Sequence, residues 1–346
     1  MIDTVCFSAQ LTQKQFHLLR KQSIEHIGRN NVSKTTEYRI VKGEINTGSY
    51  DSHIIIRCHE DDYKAQFQVS LPKQHYGHNI YLLPCSLVEQ VLFGLQDKLR
   101  EFVGDFPPYK EWVIERLDLC YAWRFQDQAT ALGVLRVLTC FDFPRKKKFV
   151  YPDESIHWAG RSYAVKFYLK ALEFLKHDHR QIFKTDKDLA NVWSNLSMGV
   201  LRFELSFRKR MLPELFYGKE RLTYKDVLDE EHIFEILNKY KNKLLCNLDP
   251  RLTSDRDVIE ILKQAYKHKK ALRLYTFYKQ FFSSLAHEKQ FLKENYHQTT
   301  IWRNKRDLSI AGVGIRTDIP SLDFSLDIPS TLTADLLPLA TARGSA

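Results

Sequence analysis

Three segments of this chain alternate apolar and polar residues with a period of two, a pattern that only a β-strand can display as two different faces. In Ser162–Glu173 it puts Tyr163, Val165, Phe167 and Leu169 on one side and Lys166, Tyr168 and Lys170 on the other. In Val200–Arg208, Leu201, Phe203, Leu205 and Phe207 oppose Arg202, Glu204, Ser206 and Arg208. In Trp112–Tyr121, Arg116 and Asp118 fall on the side of Ile114 and Cys120. If the three share a sheet, one face gathers Asp118, Tyr168 and Glu204.

That gathering has a chemistry. A tyrosine flanked by Lys166 and Lys170 and followed by the carboxylate of Glu173 has the parts of a transesterification site: a nucleophile, cations and a metal ligand. Two or three carboxylates near it are the hard oxygen ligands that Mg²⁺ or Mn²⁺ prefers. The same residues also read as ordinary half-exposed strands whose polar side faces water.

Between these strands the chain carries helix signals. Thr12 with Gln15 and Ser86 with Glu89 read as capping boxes, the first opening a helix that Gly28 can close, the second a helix ending near Gly104. Further helices are expected near 127–139 and 186–198, and strands near 2–8, 36–43, 53–58 and 64–70. Strands interrupted by helices without regular βαβ spacing predict an α+β fold, a mainly antiparallel sheet with helices packed on it. Beyond Met211 the pattern turns helical, with helices expected near 223–229, 231–245, 255–283 and 286–296 and a last one from 300 to 311. The final two could form a helix-turn-helix presenting Arg303, Lys305 and Arg306 to DNA, or a basic solvent face of a small bundle. The expected organisation is therefore 1–210, a helical domain at 211–315 and a flexible tail at 316–346.

Charge narrows the partners. Fifty-two Lys and Arg against 42 Asp and Glu give +10 and a pI near 9.1, which favours an anionic partner, nucleic acid above all. The six cysteines lack a CxxC pair and read as reduced thiols, and no apolar run has the roughly 20 residues of a membrane span. With no leader visible before the first strand, a soluble cytoplasmic protein is expected.

Met1-Ile-Asp3, the loop Ser70-Leu-Pro-Lys-Gln-His-Tyr-Gly-His-Asn79, Arg116-Leu-Asp118, Trp158 before Arg161, Phe167-Tyr-Leu-Lys-Ala-Leu-Glu173 and Leu201-Arg-Phe-Glu204 occur in one order over residues 1–210. Together they resemble the replication initiators of filamentous phages and related plasmids, the gene II/X family. The resemblance implies a rolling-circle initiator that nicks one strand of supercoiled origin DNA. Its tyrosine, at Tyr168 here, would keep a 5′-phosphotyrosine, leave a 3′-OH primer and later rejoin the displaced strand. It also implies Mg²⁺ or Mn²⁺, a host helicase and polymerase as partners, assembly on DNA, and a fold diverged from the His-hydrophobic-His nucleases. No clear His-hydrophobic-His strand is present. His177-Asp-His179 is the nearest match and sits in a helical segment, while His157 joins Asp118, Glu173 and Glu204 as a candidate metal ligand.

In this reading Lys166 and Lys170 supply a cationic field for Tyr168, whose ordinary pKa of about 10 opposes attack at neutral pH. Arg202 either grips the scissile phosphate or pairs with a carboxylate. Lys73, His75 and His78 contact DNA near the nick, or belong to a turn built around Gly77. Tyr163, on the apolar face, is the rival nucleophile and reads as core. The rival function is a non-enzymatic sequence-specific DNA-binding protein such as a repressor.

Overall fold

In the computed structural model the three alternating segments are central strands of one sheet. Residues 1–22, 24–27, 36–39, 55–59, 63–139, 141, 143, 145–245, 255–282, 296–311, 313, 326 and 328 are described. The strands are β1 (Ile2–Gln10), β2 (Ile24–Ile27), β3 (Thr36–Arg39), β4 (Ile55–His59), β5 (Lys64–Ser70), β6 (Val113–Arg124), β7 (Lys147–Tyr151), β8 (Ser155–Ala159), β9 (Tyr163–Leu169) and β10 (Val200–Arg208). They form a ten-stranded sheet in the order β2-β3-β4-β5-β1-β6-β10-β9-β8-β7, antiparallel at every step.

One face is apolar throughout. Leu117, Leu119, Tyr121 and Trp123 from β6, Val165 and Phe167 from β9, and Leu201, Phe203, Leu205 and Phe207 from β10 are all buried. Phe167 stacks on Phe203 with centroids 4.7 Å apart, and Trp112 meets Phe67 edge-on at 4.7 Å. Interlocking aromatic rings of this kind fix the strand register, because a slip of one residue would send every ring to the other face. Trp158 and Ile156 extend the same layer into β8. The β7–β8 hairpin escaped the sequence reading because it is short and its first strand is mostly exposed.

The opposite face is polar and is closed at one end by helices. β9 runs straight into a helical segment from Lys170 to Thr185, which packs with the helix Lys187–Ser197 around Phe174, Ile182, Ala190 and Ile80. Asp186 caps the second helix by accepting from Leu189 N at 2.8 Å. Within the first, Leu175–His179 is wound as a π-helix. Gly199 makes the turn into β10 at φ 70°, where a Cβ would meet Phe125 O at 2.6 Å.

Several local expectations change. Thr12 and Gln15 do form the reciprocal cap, at 2.7 and 3.3 Å, but their helix stops at Gln22 and β2 begins at Ile24. Ser86 lies inside its helix, which starts at Cys85 after Pro84, so it is no cap. The single helix expected over 255–283 is two, Asp255–Ala265 and His268–Phe282. Residues 286–295 lie outside the described residues, and with them the first helix of the expected helix-turn-helix. The described chain gathers into two compact units, Met1–Ala131 with Arg145–Leu237 and Ile328, which holds the whole sheet, and Leu132–Pro144 with Asn238–Asp327. Of the expected tail only Leu326 and Ile328 are described, both buried, with Lys241 Nζ donating to Leu326 O at 2.8 Å. Among the described residues no helix is long and apolar enough to cross a membrane.

Candidate active site

The polar face of β6, β10, β9 and β8 lines a pocket of about 350 Å³ that also takes in Asp3, Asn79, Tyr151, Glu154 and His177. Strand register builds it. Tyr168 stands opposite Arg202 on β10 and Ser155 on β8, while Lys166 stands opposite Glu204 and His157. Asp118 stands opposite Ser206.

Tyr168 is buried up to its edge on the pocket, and its hydroxyl donates to Glu204 Oε2 at 3.3 Å. Burial, and then the Glu204 charge, push its pKa well above that of a free phenol. Glu204 Oε1 accepts from Lys166 Nζ at 3.1 Å. Burial works against the Glu204 anion, but Lys166, Arg116 and Arg202 outweigh it and hold the carboxyl below its usual range. Asp118 takes both prongs of Arg116, at 2.9 and 2.6 Å, and a short hydrogen bond from the Ser206 hydroxyl. Its pKa is nevertheless pushed up to about 6, by burial first and by Glu204 second.

Behind Tyr168 lies a layer of buried ions. Arg202, wholly inaccessible, donates to Ile80 O at 2.9 Å and lies 3.6 Å from Asp3 Oδ2, while Ser70 Oγ donates to the other oxygen of the same carboxylate. Of the two roles open to Arg202, carboxylate pairing is the one its burial allows; a phosphate arriving from solvent does not reach it. Lys73, expected at DNA, is likewise fully buried and bridges Asp178 at 3.2 Å. His78 is buried too, its Nδ1 accepting from Ile80 N at 3.1 Å and its ring edge-on to Trp193. Burial, reinforced by Lys170, Arg202 and Lys73, drives its pKa down to about 3. The turn at Gly77, φ 77°, is the better account of this loop.

Lys170 corrects a second expectation. β9 ends at Leu169, so Lys170 opens a helix instead of continuing the strand face, and it is wholly buried. Its ammonium donates to Asn79 Oδ1 at 2.6 Å and makes a short contact with Glu173. Burial lowers its pKa.

The expected four-ligand metal set does not assemble: among the described residues no three His, Cys, Asp or Glu side chains converge at ligand spacing. Glu173 is engaged by Lys170 and His157 stands beyond Lys166. What remains is a pair, Asp118 and Glu204, on a pocket open to solvent, where burial first and the Glu204 charge second lift the Asp118 pKa. Arg116 and Ser206 hold Asp118, and Lys166 and Tyr168 hold Glu204, so a hydrated Mg²⁺, which keeps several of its waters, fits this pair through those waters and not as a protein cage. His157 Nε2, buried without a hydrogen-bond partner, faces the same strands.

Tyr163 sits on the other face, its ring against Phe207 and under Lys146 Nζ at 3.2 Å, away from the pocket. In the second unit, Arg303 lines a separate pocket of about 260 Å³ with Arg273, Arg306 stacks over Trp302 at 5.1 Å, and Lys305 is half-buried. Asp3, Asn79, Ser206 and Tyr151 were not singled out as site residues from sequence. Ser206 carries a signal in its place on the polar side of β10, and Asp3 and Asn79 carry one in the blocks Met1–Asp3 and Ser70–Asn79.

One polar face of an antiparallel sheet thus collects a tyrosine, carboxylates and cations around an open pocket. A sequence model of the N-terminal region of the phage gene II-type replication-associated proteins matches residues 1–227, and the chain belongs to that family of replication initiators. No curated protein and no solved structure gave a significant match.

Proposed function

We propose that this initiator nicks one strand of supercoiled DNA at its replicon's origin, with Tyr168 as the nucleophile. The observation that carries the reading is the chain of contacts from Tyr168 Oη through Glu204 to Lys166 at the edge of an open pocket. As Oη attacks the phosphorus, its proton passes to Glu204 Oε2. The bond from phosphorus to the 3′ oxygen breaks, and that oxygen takes a proton from the Lys166 ammonium, which recovers one from Glu204 across their 3.1 Å contact. The products are a 5′-phosphotyrosine and a 3′-OH that primes synthesis, and reversal of the step rejoins the displaced strand.

The relay answers the difficulty posed by the raised Tyr168 pKa, since no free phenolate has to form before attack. Arg116 holds Asp118 in place, and the buried Arg202 steadies the face behind Tyr168. A divalent ion at Asp118 and Glu204, Mg²⁺ or Mn²⁺, would offset charge growing on the phosphate oxygens. Origin duplex, displaced single strand, and host helicase and polymerase are the partners of this reading, and the bacterial cytoplasm is its place of action.

The test is incubation with supercoiled DNA carrying the origin, in Mg²⁺, followed by a search for nicked circles with protein on the 5′ end. An adduct in wild type that Tyr168→Phe loses while still binding the origin supports the reading. Salt-dependent binding with no nick in Mg²⁺ or Mn²⁺ would replace it with a non-enzymatic DNA-binding protein.

A further inference from the structure

We propose that the β7–β8 hairpin is a stacking platform that holds single-stranded DNA next to Tyr168, an inference that rests on the nicking reading. The platform is laid out by register. Tyr151 pairs with Ser155, which pairs with Tyr168; Phe149 pairs with His157, which pairs with Lys166. Alternation therefore puts Lys147, Phe149 and Tyr151 on the same face as the tyrosine, with Tyr151 two strands away, about 10 Å at the usual strand spacing.

Exposure is the second observation. β7 is the last strand of the sheet, and Phe149 and Tyr151 are 36% and 51% exposed although both lie on a polar face. Lysines suffice to protect an edge strand from pairing, so protection does not account for two open rings. Charge is the third. Arg145 and Lys147 are exposed, and Lys147 Nζ lies 4.9 Å from the Phe149 ring centroid, which puts a cation beside an aromatic face. Aromatic faces interleaved with cations are what unstacked bases and their phosphates bind, with little regard to sequence.

The hairpin is also tied to the reacting end of β9. Leu169 N donates to Glu154 O at 3.1 Å, and the Glu154 carboxylate is taken up by Lys176 at 3.0 Å. Tyr151 lines the same pocket as Tyr168, so the track is continuous with the site. Bases flanking the scissile phosphate would stack on Tyr151 and Phe149 while the phosphate sits over Tyr168.

The experiment measures anisotropy of a labelled oligothymidine with full-length protein in a Tyr168→Phe background, so that binding is read without cleavage. Tyr151→Ala and Phe149→Ala are each expected to weaken binding by about 5- to 100-fold, and Tyr151→Phe by less than about 2-fold. Tyr151→Leu, which keeps apolar bulk without a ring, should behave like Tyr151→Ala while melting like wild type. Lys147→Ala should flatten the salt dependence. Unchanged affinity in both alanine variants would overturn the platform. So would loss of affinity in Tyr151→Phe equal to that in Tyr151→Ala, or a wild-type dimer in sedimentation that the double alanine variant abolishes, which would make β7 a self-association edge. Wild type that binds through these rings but never nicks origin DNA would leave the platform standing and remove the tyrosine chemistry instead.

Discussion

Tyr168 and Glu204 lie on neighbouring strands but not opposite each other. Tyr168 faces Arg202 and Glu204 faces Lys166, and the phenol reaches diagonally to Glu204 Oε2 at 3.3 Å. One carboxylate thereby touches both the attacking hydroxyl and the half-buried Lys166 ammonium, and the proposed proton relay is this diagonal.

Glu204→Gln keeps the shape and removes the proton acceptor. Nicking should slow by about 10²- to 10⁴-fold with origin affinity unchanged, measured in single-turnover assays against a filter-binding control. An undiminished rate would rule out Glu204 as the acceptor.

Tyr163→Phe should nick at the wild-type rate. Its ring lies on the far face between Phe207 and Lys146, so the loss of one hydroxyl should leave adduct yield on a denaturing gel unaltered.

Arg202→Met removes a fully buried cation and leaves Asp3 with the Ser70 hydroxyl but without its counter-charge. Breaking one side of a buried pair costs about 3–5 kcal/mol. The urea midpoint should fall accordingly, and a shift under about 1 kcal/mol would show that water reaches Asp3 on relaxation.

His78 should make the protein acid-sensitive. Its folded pKa, about 3, lies below the usual 6.5, so the unfolded chain takes up a proton that the folded chain excludes. Its contribution to stability is complete above pH 6.5 and is lost at about 1.4 kcal/mol per pH unit as pH falls towards 3. Asp118, raised to about 6, acts with the opposite sign, because its folded form gains the proton first. The difference between wild type and His78→Gln, followed by urea unfolding from pH 7 to 5, isolates the histidine, and equal slopes would refute its burial as a neutral base.

Gly199→Ala should destabilise by about 1–3 kcal/mol, because the added Cβ meets a backbone oxygen at 2.6 Å in a left-handed conformation. A thermal melt checks it. Since Gly199 sets the start of β10, any loss of nicking should track the loss of folded protein.

The alternating segments made three central strands legible, together with the grouping of Asp118, Tyr168 and Glu204 on one face. The cap at Thr12 and Gln15 was equally plain, because both are local patterns of side-chain direction. Lys170 was misplaced because alternation does not announce its own end: the strand stops at Leu169 and the helix takes over at the lysine itself. For Lys73, His78 and Arg202 the sequence leaves DNA contact open beside a turn or a carboxylate pair, because charge in a sequence looks exposed until something is known to cover it. Here the cover is the helical pair around Ile80 and Phe174, which reaches the face from elsewhere in the chain.

What the sequence determined by itself, then, is which residues share a face and that a nucleophile-like tyrosine stands among cations and carboxylates. A strand's period of two belongs to the backbone and needs no partner. Only the tertiary structure decided that Tyr168 reaches Glu204 diagonally, that Asp3 supports Arg202, that Glu173 is engaged by Lys170 and that an aromatic edge strand ends the sheet next to the site. The Lys170–Glu173 contact follows from where β9 gives way to a helix, and the others depend on strand order, register and burial, which are set by pairings between residues far apart in the chain.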